Sequence, residues 1–291
     1  MSHGRVNPGP RLGRHYAKLC DIEDFADPEF GQRAATIRPD LDLSWQLDRK
    51  TWEFTMLSLL LEDWGVLDGH SRVLSVGAGA EAIVFWLAPR VQRMVAVDRY
   101  GQGRWSSVHS TMLSDPAALS PYPEVTLDGL ETCSMDARDL RFPDASFDAV
   151  FSLSSIEHFG SPSDIRRAAA EIGRVLAPTG VAYVVTELEL RPPTRRRRAL
   201  EAALSRFSGG RLGRPEVFSQ ETLDRDVITA SGLTLLQPLS LEISTASFEN
   251  LAVWRLGRRL RSSSGRYHPH IVLRGAGRTY TSVALPLWRR P

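Results

Sequence analysis

"VLSVGAGAEAIVFWL", residues 73–87, decides how the rest of the chain is read. A short apolar run is broken by Gly77 and Gly79 and then passes into a helical pattern. A strand that feeds a tight turn and then a helix is how a nucleotide-like cofactor loop is built. Absent side chains let the backbone approach a ligand closely, and the helix N-terminus offers free N–H groups. Read as G-x-G-x-x-A (Gly77, Gly79, Ala82), the stretch meets the dinucleotide fingerprint. The motif alone leaves the cofactor undecided.

Outward from this turn the chain alternates. "RVLSVG" (72–77) reads as a buried strand and "EAIVFWLA" (81–88) as a helix ended by Pro89. Further strands are expected at "RMVAVD" (93–98), "ETCSMD" (131–136), "FDAVFSLSS" (147–155) and "GVAYVVTELEL" (180–190). "SPSDIRRAAAEIGRVLAP" (161–178) is an amphipathic helix with Ser161 or Ser163 as N-cap. Strands separated by helices imply parallel pairing with crossovers, hence a doubly wound α/β sheet. Before the alternation, "TWEFTMLSLLLEDWG" (51–65) carries apolar residues at helical spacing, while residues 1–44 show weak periodicity and read as a partly ordered arm. After Leu190 comes a basic, Gly-rich connector, then a capped helix at 219–232 and a strand at "LTLLQPL". The tail "YHPHIVLRGAGRTYTSVALPLW" supplies one or two antiparallel strands.

Composition narrows the class without naming it. The chain has 291 residues, 42% hydrophobic and 24% charged, with a net charge of +2, so no global field argues for nucleic acid. Lys18 and Lys50 are its two lysines, and arginine supplies the rest of the basic residues. Cys20 and Cys133 cannot build a disulfide framework and have no metal spacing. The N-terminus lacks the apolar segment of a signal peptide, and no apolar run is long enough to span a bilayer. A cytoplasmic setting is expected, with no membrane span and no bound metal.

In open α/β sheets the ligand sits beyond the carboxyl ends of the strands, at the topological switch point. The first strand end carries Gly77-Ala78-Gly79; the second ends in Asp98, next to Arg99. A carboxylate there can accept hydrogen bonds from both ribose hydroxyls. The third ends in Asp136-Ala137 and the fourth in Ser154-Ser155-Ile156-Glu157-His158. Taken singly, these features are equally a tight turn, a loop acid or a cap; their order along the chain is what points to a site.

These residues, with "DLRFPDASFDAVFSLSSIEHFG" (139–160) and "AAAEIGRVLAPTGVAYVVTE" (168–187), resemble class I S-adenosylmethionine-dependent methyltransferases of the bacterial type-11 kind. The resemblance covers residues 70–190 and extends loosely over 216–233. It implies a doubly wound Rossmann-like sheet, mostly parallel with an antiparallel C-terminal strand, behind an N-terminal helical cover. Residues 1–66 would be the arm and cover, and 67–291 the α/β domain, with its cofactor half at 70–190 and a variable part at 191–291. By the same resemblance Gly77 and Gly79 would lie at the methionine part of the cofactor, Asp98 at the ribose, Asp136 and Ala137 at adenine, and Ser154 near the sulfonium, with Ala78, Glu81 and Arg99 as further cofactor-binding positions.

Two positions depart from the family pattern: Ser75 replaces the acid usual at the end of the first strand, and Glu81 replaces the third glycine. Glu81 bears on the cofactor. A dinucleotide would place its pyrophosphate at that helix N-terminus. A carboxylate about 4 Å from a phosphate charge opposes it by roughly 1–4 kcal/mol at effective dielectrics between 80 and 20. S-adenosylmethionine carries no phosphate, and its sulfonium and ammonium are cationic.

Methyl transfer chiefly requires alignment, and a hydroxyl acceptor adds a need for a base. His158 and Glu157 are the candidates, with His109 a weaker one inside the insert 99–130, whose Trp105 and Tyr122 would shape an acceptor pocket or cover the cofactor. The run Arg195–Arg198 reads as a solvated face or a patch for an anionic acceptor. The expected reaction is O-methylation of a small molecule or saccharide intermediate. The rivals are an NAD(P)-dependent oxidoreductase and a catalytically inactive methyltransferase-like binding protein.

Overall fold

The computed structural model describes residues 12–101, 110–191, 216–249, 251–255, 258–262, 270–275 and 277–290, together with 194, 196, 199, 200 and 203. Its frame is five parallel strands: β1 (Arg72–Val76), β2 (Arg93–Asp98), β3 (Leu130–Ser134), β4 (Phe147–Leu153) and β5 (Leu176–Arg191). They lie in the order β3-β2-β1-β4-β5. The order reverses between β1 and β4, which pair in parallel from Val73↔Ala149 to Ser75↔Phe151. That reversal is the switch point of a doubly wound sheet.

Strand alternation assigns side chains to two cores. Val73, Ala149, Phe151 and Leu153 join one cluster, while Leu74, Val76 and Val150 join the other. Both faces are therefore covered, as parallel sheets require. On one side lie α1 (Pro28–Ile37), α2 (Arg49–Asp63) and α3 (Ala82–Leu87). The short α4 (Thr111–Ser114) precedes β3. On the other side lies α5 (Pro162–Val175), which begins on a capping box between Ser161 and Asp164. The later elements are α6 (Gln220–Leu223), β6 (Thr234–Leu235), α7 (Thr245–Glu249), β7 (Leu251–Arg255), β8 (Arg258–Ser262), β9 (Val272–Gly275) and β10 (Arg278–Trp288).

Several expectations are corrected. The stretch read as a partly ordered arm contains α1, whose Phe30, Ala34 and Ile37 are fully buried. Asp27 caps it and Pro28 opens it. The helix expected at 51–65 begins two residues earlier, at Arg49, because Asp48 accepts the Thr51 N–H at 2.7 Å. The helix expected at 219–232 passes after Leu223 into a π-helical turn, Asp224–Thr229. The tail supplies the two antiparallel strands expected of it, β9 and β10, while β7 and β8 before it are not among the expected strands. β10 runs antiparallel to β5 from Thr279↔Arg191 to Trp288↔Val181, and β9, β7 and β8 extend the sheet beyond it.

The early helical start of α2 positions the site. Along α2, Trp52, Phe54, Met56, Leu57, Leu60 and Leu61 are buried against the sheet. Each such side chain contributes about 1.5–3 kcal/mol. Packing of this size fixes the rotation of the helix and carries Arg49, Lys50 and Glu53 to the carboxyl ends of β4 and β5.

Candidate active site

The turn after β1 is held by β2. Gly77 N and Ala78 N donate to the Val97 carbonyl at 2.9 and 3.0 Å, and Gly79 N donates to Asp98 Oδ2 at 2.8 Å. Gly77 and Gly79 have φ of +73° and +52°, a region that glycine enters without steric cost. A Cβ at Gly77 would sit 2.7 Å from Ser155 Cβ and 2.9 Å from the Phe159 ring. The two halves of the switch point thus touch, and Ser155 Oγ donates to the Gly77 carbonyl at 2.8 Å. Ser75 is buried in β1. Direct support for the turn comes from Asp98 and Val97, whatever the loss of an acid at Ser75.

Asp98 accepts a second backbone N–H, from Arg99 at 2.6 Å on Oδ1. One bond per oxygen leaves further lone pairs free for a diol. Tyr100, buried behind it, donates to the Gly79 carbonyl at 2.9 Å. Asp136 is more fully engaged. Arg138 donates to Oδ1 from its backbone N and Nε and to Oδ2 from Nη2. Those bonds hold the Asp136 carboxyl down to about 2. Ala137 is buried beside it.

Ser154 adopts φ +47°, a strained conformation for a residue with a Cβ. Its Oγ donates to Glu53 Oε1 at 2.7 Å, and Ser282 Oγ donates to the same oxygen at 2.6 Å. Around Glu53 lies a network with no sequence motif. Lys50 Nζ sits 2.5 Å from Glu81 Oε1, 2.9 Å from the Leu153 carbonyl and 3.3 Å from Glu53 Oε2. Arg49 pairs with Glu187 at 2.8 Å. Arg49 and Lys50 occupy a helix N-terminus, where cations oppose the helix dipole; Glu53, Glu81 and Glu187 offset this.

Glu81 turns away from its own helix. It is the N-cap residue of α3, but its side chain makes no capping bond and turns to Lys50. The charge that would oppose a pyrophosphate is therefore already countered. Burial pushes the Glu81 carboxyl up to about 7, against the pull of Lys50. For Glu53, burial acts upward, but Lys50 and Arg49 outweigh it and hold the carboxyl below its usual range.

The two candidate bases differ sharply. His158 is half exposed, with Nδ1 3.5 Å from Glu216. Glu157 is only 6% exposed. Thr186 Oγ1 donates to its Oε2 at 2.9 Å, while Oε1 has no hydrogen-bond partner among the described residues. Burial, and then repulsion from Glu187 and Glu53, pushes the Glu157 carboxyl up to about 8. Tyr122 lies away from this cluster, donating to the Ile37 carbonyl of α1. Trp105, His109 and, apart from Arg196, the run Arg195–Arg198 lie outside the described residues. Among the described residues no group of His, Cys, Asp and Glu is arranged to hold a metal, and no helix is long and apolar enough to cross a membrane.

The raised carboxyls make a stability prediction. A group whose folded pKa lies above its ordinary value of 4.5 stabilises the fold fully below that value. The contribution is lost as pH rises through 7 and 8. Melting temperature should therefore fall between about pH 5 and 8.5, and Glu157→Gln should flatten the fall. Equal slopes for both proteins would show that Glu157 is not the group responsible.

Residues 74–184 match the family described as methyltransferase domain. This segment is similar to methyltransferase domains. The chain is 32% identical over 109 residues to the uncharacterised methyltransferase YcgJ of Bacillus subtilis, a match over 38% of each chain. Over 132 residues it is 28% identical to the S-adenosyl-L-methionine-dependent Diels–Alderase iccD of Talaromyces variabilis, covering 45% of this chain and 41% of that one. The chain thus spans about two fifths of the length of the curated relatives it matches. The crystal structure of YcgJ superimposes with a TM-score of 0.48 at 17% identity, over 81% of this chain and 98% of that one. The matched segment ends within β5, so Arg49, Lys50, Glu53 and Ser282 reach the site from outside it.

Proposed function

We propose that the chain is an S-adenosylmethionine-dependent methyltransferase acting on a small molecule, a hydroxyl-bearing compound or saccharide intermediate among them. The observation that carries this reading is the meeting of the glycine turn, Asp98 and the Ser154–Glu157 segment at the switch point of a methyltransferase-like domain. The donor set fits the cofactor. Asp98 has lone pairs for a ribose diol, with Arg99 beside it, and Asp136 keeps one for an adenine amino group next to Ala137. Gly77, Ala78 and Gly79 present backbone to the methionine part, and Glu81 and Ser154 flank it with carboxylate and hydroxyl.

Bound S-adenosylmethionine supplies a methyl group on a positively charged sulfur. The protein's part is to align the acceptor atom and take its proton. Glu157 suits the second task better than His158, since its Oε1 is buried, has no hydrogen-bond partner among the described residues, and is poised near neutral pH. The iccD relative couples the same cofactor to a different reaction by its name. Release of S-adenosylhomocysteine during turnover separates methyl transfer from that chemistry.

The test is thermal. S-adenosylhomocysteine at about 100 times its Kd should stabilise the protein by about 2.7 kcal/mol, since it binds the native state alone. A clear melting shift with NAD and none with millimolar S-adenosylhomocysteine would reassign the site to an oxidoreductase.

A further inference from the structure

We propose that Glu53, Glu157 and Glu187 form the seat of a protonated amine, so that the methyl acceptor is an amine-bearing small molecule. The word acceptor rests on the methyltransferase reading; the seat itself rests on side chains that α2, the segment after β4, and β5 bring together.

Four carboxyl groups, Glu53, Glu81, Glu157 and Glu187, share two cations, Arg49 and Lys50. With all four ionised, the carboxyl groups outnumber the cations they pair with, and a proton on Glu157 relieves the excess when no cation is bound. Arg49 is taken by Glu187, and Lys50 by Glu81, Glu53 and the Leu153 carbonyl. Glu157 receives no cation in these pairs. Its Oε2 accepts from Thr186, and its buried Oε1 accepts from nothing among the described residues. Burying a carboxyl oxygen without a donor is costly, and the neighbouring Glu187 and Glu53 raise the cost by repulsion. A protonated amine brings three donors and a positive charge. A neutral hydroxyl would bring one donor and no charge to replace the proton on Glu157, and an anion would oppose its ionisation. The side chains grade outward from Glu53, 1% exposed, to Glu187 at 17% and Lys50 at 35%, which marks the side open to solvent.

Binding such a cation should strip the proton that Glu157 holds near neutral pH, and this gives a readout independent of catalysis. The probes are matched pairs: 2-aminoethanol with ethylene glycol, glucosamine with glucose, and tyramine with its alcohol counterpart. Each is titrated calorimetrically at pH 7 in two buffers of different ionisation enthalpy, with and without S-adenosylhomocysteine. At least one amine is expected to bind tenfold or more tightly than its hydroxyl counterpart and to release a proton. Glu157→Gln should abolish the release. The proposal is overturned if hydroxyl counterparts bind as well as the amines, or if no amine binds. It is also overturned if the proton leaves on S-adenosylhomocysteine binding, which would give the seat to the cofactor's own ammonium. Failure of S-adenosylhomocysteine to bind would count against the methyltransferase reading alone, because the amines are also titrated without it.

Discussion

Glu157→Gln is expected to lower turnover by roughly 10²–10⁴-fold, the usual worth of a positioned base. The substitution keeps the size of the side chain and can keep the Thr186 contact, so the fold should survive it. What it removes is a carboxyl oxygen that is buried and has no donor among the described residues. The wild-type kcat/KM, which reports the free enzyme, should rise with pH through the range set by a carboxyl pushed up to about 8, because the ionised form is the one that accepts a proton. The variant should lose that rise. His158→Ala should cost little by comparison, since that imidazole is half exposed and faces Glu216 across 3.5 Å. Near-normal turnover in Glu157→Gln would remove Glu157 as the base and leave alignment as the main contribution.

Asp98→Ala should weaken S-adenosylhomocysteine binding by about 1.5–3 kcal/mol, roughly 10–150-fold, the scale of hydrogen bonds to a charged group. Two losses combine. The ribose would lose its carboxylate partner, and Gly79 N and Arg99 N would lose the acceptors that fix the turn at 2.8 and 2.6 Å. Asp98→Asn retains one acceptor oxygen and should recover part of the loss. Wild-type affinity in Asp98→Ala would place the ribose elsewhere.

The part of the site on the alternating core was legible in the sequence. Gly77, Gly79, Asp98 and Ser154 each close an apolar strand, and burial on both sheet faces makes such strands near-continuous apolar runs that are easy to locate. Ser161 as the cap of α5 was equally readable from its Pro162 and Asp164. The N-terminal contribution was not. Arg49 and Lys50 precede the apolar run and read as flanking charge, although Asp48 ahead of them is a capping residue. One signal was present: Glu53 stands between Trp52 and Phe54 in a helix otherwise rich in apolar residues, where an acid has to find partners. Those partners, Ser154 and Ser282, lie 101 and 229 residues away, and no local pattern encodes such contacts. α1 was missed because Gly31 and its polar neighbours dilute the spacing of Phe30, Ala34 and Ile37. The inward turn of Glu81 was hidden for the same tertiary reason, since Lys50 comes from another element.

The central claim is that the switch point binds S-adenosylmethionine through the carboxylate at the end of β2. Calorimetric titration of S-adenosylhomocysteine into the wild-type protein, with NAD titrated in parallel, tests it most directly. Saturable binding of S-adenosylhomocysteine at one site per chain, weakened by Asp98→Ala, with no heat from NAD, is the result expected. Saturable binding of NAD with none of S-adenosylhomocysteine would contradict it.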